Sequence, residues 1–132
     1  MKKLTGLLAA LLFSILALAG PNSPAIPGQP LIIDVRTAEE YRAEHVRQAI
    51  NIPYDEIAAH IAAVAPDRDS RIVLYCRSGR RSGIAEQTLR QMGYRQVENK
   101  GGLSDMLQSG YQTDRETVVC QAGSTTSCHD DR

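Results

Sequence analysis

The sequence predicts a single α/β domain in which a parallel sheet carries helices on both faces. Residues 31–35 and 71–75 form two almost continuously apolar runs, as expected of strands that are buried on both sides. Each run is followed by a stretch with helical signals, and strands that alternate with helices form parallel sheets. A chain of 132 residues is long enough for one such domain.

Composition and charge narrow the possible functions. Hydrophobic residues make up 42% of the chain, which is sufficient for a packed core, and tryptophan is absent. The 15 basic residues are balanced by 15 acidic residues. This balance argues against a nucleic-acid-binding protein that relies on a broadly basic surface.

The first residues have the three-part pattern of a secretory signal peptide. Lys2 and Lys3 precede an apolar run over residues 7–18, and Ala17 and Ala19 give a small-x-small cleavage site. The run is shorter than the roughly 20 residues of a membrane-spanning helix. We expect a periplasmic or secreted protein that has no membrane contact after cleavage. The predicted segments are a signal peptide (1–19), a Pro-rich linker (20–30), the folded domain (31–111) and a polar tail (112–132).

The first half of the domain contains two predicted helices. Thr37 and Glu40 match a capping box, which predicts a short helix that continues to about residue 44. Residues 49–52 form a short strand candidate that Pro53 stops. Asp55 is predicted to cap a second helix, whose buried face contains Ile57, Ile61 and Val64.

The second half repeats this alternation. The strand over residues 71–75 leads directly into Cys76, and a helix is predicted from about residue 82 to 92. A weak strand is predicted over residues 95–98, a turn over 100–102 and a short helix over 103–108.

The segment that carries chemistry is the loop over residues 76–82. It connects a buried strand to a helix, and ligands of α/β sheets bind at the carboxyl ends of strands. Successive backbone N–H groups in such a loop form an anion cradle, and the helix N-terminus adds positive potential. These surroundings stabilise a thiolate, which makes Cys76 the candidate nucleophile. The candidate substrate-binding residues are Arg77, Ser78, Gly79, Arg80, Arg81 and Ser82.

Several short motifs occur together in an order and spacing that resemble the rhodanese family. The resemblance covers residues 31 to about 106, and Gln48 stands where the family usually has glycine. The motifs are Asp34-Val35-Arg36, Glu40-Tyr41, His45-Val46, Ala49-Ile50-Asn51-Ile52-Pro53, the loop from Cys76 to Ser82, and Gly101-Gly102-Leu103.

The resemblance implies a rhodanese-like fold and a thiosulfate sulfurtransferase without metal or cofactor. It implies that Cys76 takes the sulfane sulfur of a small anionic donor and carries it as a persulfide. Cyanide or a thiol is then the acceptor. Thiosulfate oxygens suit bidentate contacts with arginine, and the sequence does not decide which of Arg77, Arg80 and Arg81 makes them.

Three other functions are alternatives to sulfur transfer. Rhodanese-like phosphatases have an arginine six positions after the cysteine, where this chain has Ser82. A rhodanese fold that acts only as a sulfur carrier or binding module is a further alternative. A thiol–disulfide oxidoreductase is disfavoured because the sequence contains no Cys-x-x-Cys motif.

Some polar residues in the domain are predicted to have structural roles. Arg36 is expected to pair with Glu40 or another acid, and His45 is expected to be structural rather than a general base. His60 lies on a polar helix face and is expected to be solvated.

The predicted tail contains two further cysteines. Cys120 and Cys128 are eight positions apart, and an oxidising compartment favours a disulfide between them that leaves Cys76 free. The alternatives are two free thiols, or a metal site with His129 and Asp130, whose spacing matches no zinc pattern well.

Overall fold

A computed structural model describes residues 28–115. The signal-peptide segment, most of the linker, Cys120 and Cys128 with their predicted disulfide, and the possible metal ligands His129 and Asp130 lie outside these residues. Among residues 28–115, no helix has the length and apolar character needed to cross a membrane.

The described chain forms a central parallel sheet and a small antiparallel pair of strands. The strands are β1 (Leu31–Asp34), β2 (His45–Val46), β3 (Ile50–Asn51), β4 (Arg71–Cys76), β5 (Gln96–Gly102) and β6 (Thr113–Asp114). The helices are α1 (Ala38–Ala43), α2 (Ile57–Val64), α3 (Arg80–Gln91) and α4 (Leu103–Gln108). The parallel sheet has the order β3-β1-β4-β5, and β2 pairs with β6.

Helices cover both faces of the sheet, as predicted. Alternate residues of β4 point to opposite sides: Leu74 belongs to the core beneath α2 and α3, and Val73 to the core beside α4. Ile57 and Ile61 of α2 are fully buried in the first core, and Met106 of α4 is fully buried in the second. The rigid sheet between these two cores therefore fixes the position where β4 ends at Cys76.

Two details of the predicted helices are wrong. Asp55 does not cap α2, because the Glu56 amide donates to the Pro53 carbonyl and a turn occupies this segment. Val64 is 41% exposed, because the helix ends there and Ala65 takes the inward position. In contrast, the capping box of α1 is confirmed, since Thr37 and Glu40 exchange both predicted hydrogen bonds.

Three boundaries in the second half also differ from the prediction. Helix α3 begins at Arg80, two residues early, because Gly79 at the N-cap position adopts a left-handed conformation with φ 91°. The predicted turn over residues 100–102 belongs to β5, where Gly102 aligns with Cys76 after a register shift. Thr113 and Asp114, within the predicted tail, form β6 because they pair with Val46 and His45.

Candidate active site

Cys76 is the last residue of β4, and its side chain is fully buried at the carboxyl end of the sheet. The Gly79 amide donates a hydrogen bond to Cys76 Sγ over 3.0 Å, and the Ser82 hydroxyl lies 3.5 Å from the same sulfur. Burial by itself raises the pKa of the Cys76 thiol. Hydrogen bonds from the Ser82 hydroxyl and from the amides of Ser82, Ser78 and Gly79 outweigh burial, so the pKa is lowered. The loop therefore favours a thiolate at Cys76.

Close packing against the end of β5 keeps the loop tight. A Cβ atom added to Gly102 would lie 2.4 Å from the Arg77 carbonyl oxygen, so this position has no room for a side chain. Gly79 packs against Gly101, whose Cα would be 3.2 Å from an added Cβ. Glycine at these positions lets two backbone segments touch. The Gly102 amide is in turn held by Asp105 Oδ2 over 2.6 Å.

The three arginines of the loop have different surroundings. Arg81 forms a bidentate ion pair with Glu40 of α1, with N–O distances of 2.8 and 2.9 Å. Arg77 and Arg80 are exposed, and neither side chain has a hydrogen-bond or ion-pair partner among residues 28–115. Arg77 and Arg80 are therefore available to an anionic ligand, whereas the guanidinium of Arg81 is already engaged.

The ion pair connects the loop to the first helix. The Arg81 guanidinium, through its hydrogen bonds, lowers the pKa of the Glu40 carboxyl to about 2, and the Thr37 amide adds to this effect. Glu40 thus caps α1 and holds the first turn of α3 at the same time. The sequence indicated the capping role of Glu40 but not its contact with Arg81, which is 41 positions away.

Asn99 is the residue of this site that the sequence did not reveal. Its Nδ2 donates to the Gly79 carbonyl over 3.0 Å, and its Oδ1 accepts from the Gly101 amide over 2.9 Å. The Ser82 hydroxyl lies 2.8 Å from the same Oδ1. One sequence signal could have found Asn99: polar residues near the carboxyl ends of neighbouring parallel strands often belong to a site. The strand beside β4 was predicted only over residues 95–98, so it ended one residue before Asn99.

A buried polar network lies next to Cys76 and has a structural role. Arg36 pairs with Asp34, with its Nη2 2.6 Å from Oδ2, so the predicted ion pair exists with Asp34 as the partner and not Glu40. The Tyr75 hydroxyl donates to Asp34 over 2.7 Å and accepts from the Val46 amide over 2.9 Å. These bonds satisfy every member of the network, as burial requires.

His45 and His60 contribute no group to the loop in this arrangement. The His45 ring stacks on Tyr41 with a centroid separation of 3.8 Å, and its Nδ1 lies 2.7 Å from the Tyr41 carbonyl oxygen. These contacts fit the predicted structural role. His60 is exposed on α2 beside Glu56, as predicted.

A cavity of about 420 Å³ lies elsewhere in the domain. Leu31 and Arg71 line it, and they begin β1 and β4 at the edge of the sheet opposite Cys76. No cysteine lines this cavity, so we place the candidate site at the Cys76 loop.

Comparison with known protein families shows which family this chain belongs to. The family model described as "Rhodanese-like domain" matches residues 22–109. The chain belongs to this family. The rhodanese-like domain is 50% identical over 74 residues to the thiosulfate sulfurtransferase PspE of Escherichia coli strain K12, covering 56% of this chain and 71% of PspE. It is also 38% identical over 74 residues to a sulfurtransferase of Allochromatium vinosum, covering 55% of this chain and 67% of that protein.

Solved structures agree with this assignment. A rhodanese from E. coli, solved with anions, superposes with a TM-score of 0.62 at 42% sequence identity, covering 66% of this chain and 99% of that one. The predicted α/β fold with a parallel sheet is therefore confirmed, and so is the resemblance to rhodaneses. Family membership and the sulfurtransferase relatives support sulfur transfer as the general chemistry of the rhodanese-like domain.

Proposed function

We propose that the protein is a thiosulfate sulfurtransferase that carries sulfur as a persulfide on Cys76. The observation that carries the proposal is the buried Cys76 Sγ, which the Gly79 amide approaches to 3.0 Å and the Ser82 hydroxyl to 3.5 Å. Donors that converge on a sulfur atom stabilise its anion, and the thiolate is the nucleophilic form of cysteine. The named activity of PspE adds support for thiosulfate as the donor.

The first half-reaction forms the persulfide. The Cys76 thiolate attacks the outer, sulfane sulfur of thiosulfate and forms a new S–S bond. The original S–S bond of thiosulfate breaks, and sulfite leaves with its electron pair. The exposed Arg77 and Arg80 guanidiniums attract the thiosulfate oxygens, because charge-assisted contacts to oxyanions are strong. The amides that held the thiolate then face the anionic persulfide.

The second half-reaction returns the enzyme to its starting form. Cyanide or the thiolate of an acceptor attacks the outer persulfide sulfur, which forms thiocyanate or a new persulfide. The S–S bond to Cys76 breaks, and the Cys76 thiolate leaves with the electron pair. No proton is required by the enzyme in either half-reaction, so a general base such as His45 is unnecessary.

The two half-reactions predict ping-pong kinetics. Initial rates measured against thiosulfate at several cyanide concentrations should give parallel double-reciprocal lines. Intersecting lines would show that both substrates bind together, which contradicts a free persulfide enzyme. A non-catalytic binding module would show no Cys76-dependent turnover in the same assay.

A phosphatase is disfavoured by the residue at the end of the loop. Ser82 occupies the position of the phosphate-binding arginine, and its hydroxyl is already 2.8 Å from Asn99 Oδ1. The transition state of phosphoryl transfer spreads charge over three oxygens and needs a donor for each of them. A chromogenic phosphate monoester should therefore be hydrolysed negligibly. Vigorous hydrolysis that depends on Cys76 would favour the phosphatase instead.

We further propose that this sulfurtransferase is exported. The pattern of residues 1–19 supports cleavage after Ala19, and the domain then follows a Pro-rich linker. Sequencing the N-terminus of protein recovered from the periplasm or medium should find Gly20 first. Recovery only from the cytoplasm with residues 1–19 intact would contradict export.

A further inference from the structure

We propose that Asn99 is the positioning residue of the Cys76 loop: its amide group joins Gly79, Gly101 and Ser82 into one rigid cradle around Sγ. The inference rests on the proposed role of Cys76 as the nucleophile. Asn99 itself does not touch the sulfur, and it acts through the groups that do.

Two backbone partners determine the orientation of the Asn99 amide. Nδ2 faces the Gly79 carbonyl at 3.0 Å, and Oδ1 faces the Gly101 N–H at 2.9 Å. Rotating the amide by half a turn would place oxygen against oxygen and N–H against N–H. The two backbone partners therefore admit one orientation, in which Asn99 links the loop to the end of β5.

Asn99 also contacts the residue at the start of α3. Gly79 occupies the N-cap position and has no side chain with which to cap the helix. Its carbonyl accepts the Gly83 amide over 3.0 Å and the Asn99 Nδ2 in addition. The Asn99 amide thus holds the residue whose own N–H is 3.0 Å from Cys76 Sγ.

The Ser82 hydroxyl lies between Asn99 and Cys76. It lies 2.8 Å from Asn99 Oδ1, 3.1 Å from the Gly79 carbonyl oxygen and 3.5 Å from Cys76 Sγ. Asn99 Oδ1 and the Gly79 carbonyl oxygen are acceptors, and the hydroxyl has one hydrogen to donate. Asn99 therefore fixes the position of the hydroxyl oxygen beside the sulfur, while the Gly79 N–H donates to Sγ. Burial opposes the thiolate at Cys76, and aligned donors overcome this opposition. Loss of alignment should therefore return Cys76 toward the neutral thiol.

Removal of the Asn99 amide changes no charge. Any change in the ionisation of Cys76 in this variant therefore comes from the lost hydrogen bonds and not from altered electrostatics. The charged groups on the surrounding elements stay in place in Asn99→Ala. They are the loop residues Arg77 and Arg80, the ion pairs of Arg81 with Glu40 and of Asp34 with Arg36, Asp105 at the Gly102 amide, and Glu98 with Lys100 on β5 itself.

Asn51→Ala is a matched control. Asn51 also lies at the end of a strand of the same sheet, and its Nδ2 donates to the carbonyls of Asp34 and Arg36, both over 3.0 Å. Both variants lose side-chain bonds to the backbone, but only Asn99→Ala loses bonds to the Cys76 loop. Thermal unfolding of both variants measures the structural cost separately.

The experiment is the pH dependence of Cys76 alkylation by uncharged iodoacetamide, measured on the full chain. In Asn99→Ala the midpoint of the plot of alkylation rate against pH should move to higher pH, and alkylation at pH 6 should slow about three- to tenfold. Asn51→Ala should match wild type in both measurements. In a Ser82→Ala background the effect of Asn99→Ala should be smaller, because the two residues share one network.

A midpoint in Asn99→Ala that is unchanged or lower would overturn the inference. It would show that Asn99 is only structural, or that it draws the Ser82 hydroxyl away from the sulfur. If Asn99→Ala does not fold, Asn99→Leu retains the side-chain volume and adds no charge, and it should raise the midpoint because it removes the donor to the Gly79 carbonyl. Alkylation does not involve thiosulfate, so normal results here without thiosulfate turnover would reject the proposed function alone.

Discussion

The Arg81 guanidinium and the Glu40 carboxylate form a two-bonded ion pair that joins the first turn of α3 to the first turn of α1. One of the three loop arginines therefore has a structural ion pair and is not free to bind substrate. The neighbouring Arg80, on the same helix, is exposed. Adjacent arginines in the sequence therefore have separate roles, which mutagenesis can distinguish.

We expect Arg77→Ala and Arg80→Ala to raise the KM for thiosulfate severalfold and to change kcat little. Each variant removes a positive charge that attracts the anion equally in the bound complex and in the transition state. Loss of such a contact raises KM and leaves kcat unchanged. Steady-state kinetics with varied thiosulfate would measure the effect. Arg71→Ala is the control, since it removes the same charge at the other end of β4. If both loop variants keep the wild-type KM, backbone amides alone hold the substrate.

The ion pair also predicts how stability depends on pH. Hydrogen bonds from Arg81 lower the pKa of Glu40 from an ordinary value of 4.5 to about 2. The charged form is thus favoured in the folded state, so its contribution to stability is complete above pH 4.5 and is lost as the pH falls toward 2. Urea unfolding of wild type and Glu40→Gln should show a stability difference that shrinks over this range.

Arg81→Ala is the partner control for this titration. It should remove the same pH dependence, and the double variant should lose little more than either single variant. If the free energies of unfolding of wild type and Glu40→Gln differ by the same amount from pH 5 to pH 2.5, the ion pair does not favour the charged form of Glu40.

Gln48 offers a test of backbone strain. It has a φ of 69°, in the left-handed region, where side chains other than glycine cost about 1–2 kcal/mol. Gln48→Gly should therefore stabilise the domain by about 0.5–1 kcal/mol and raise Tm by a few degrees. Gln87→Gly, at an exposed position within α3, should instead destabilise by about 1 kcal/mol. A lower Tm for Gln48→Gly would show that its side chain contributes more than the strain costs.

Local signals in the sequence predicted much of the fold. The capping box of Thr37 and Glu40 depends on four consecutive residues, and the buried strands depend on continuous apolar runs, so both could be recognised without tertiary information. The position of Cys76 at a strand end followed from the same reasoning. Asp55 misled the prediction because a backbone turn took the place that a side-chain cap would have filled.

The parts that the sequence missed depend on residues that are distant along the chain. Strand β6 exists only because Thr113 meets Val46, and two residues alone carry no periodic signal. Asn99 reaches Gly79 and Ser82 across 20 and 17 positions. The loop chemistry could be predicted from its own residues, whereas the contacts that hold the loop in place required the folded structure.

The most direct test of the persulfide on Cys76 is the intact mass of the protein before and after thiosulfate treatment. Wild type should become one sulfur atom heavier, and cyanide should reverse the change. Cys76→Ser should show neither change, because Cys76 is the sulfur that the loop donors surround. A Cys76→Ser variant that still gains the sulfur atom, or that keeps full sulfurtransferase turnover, would contradict the account.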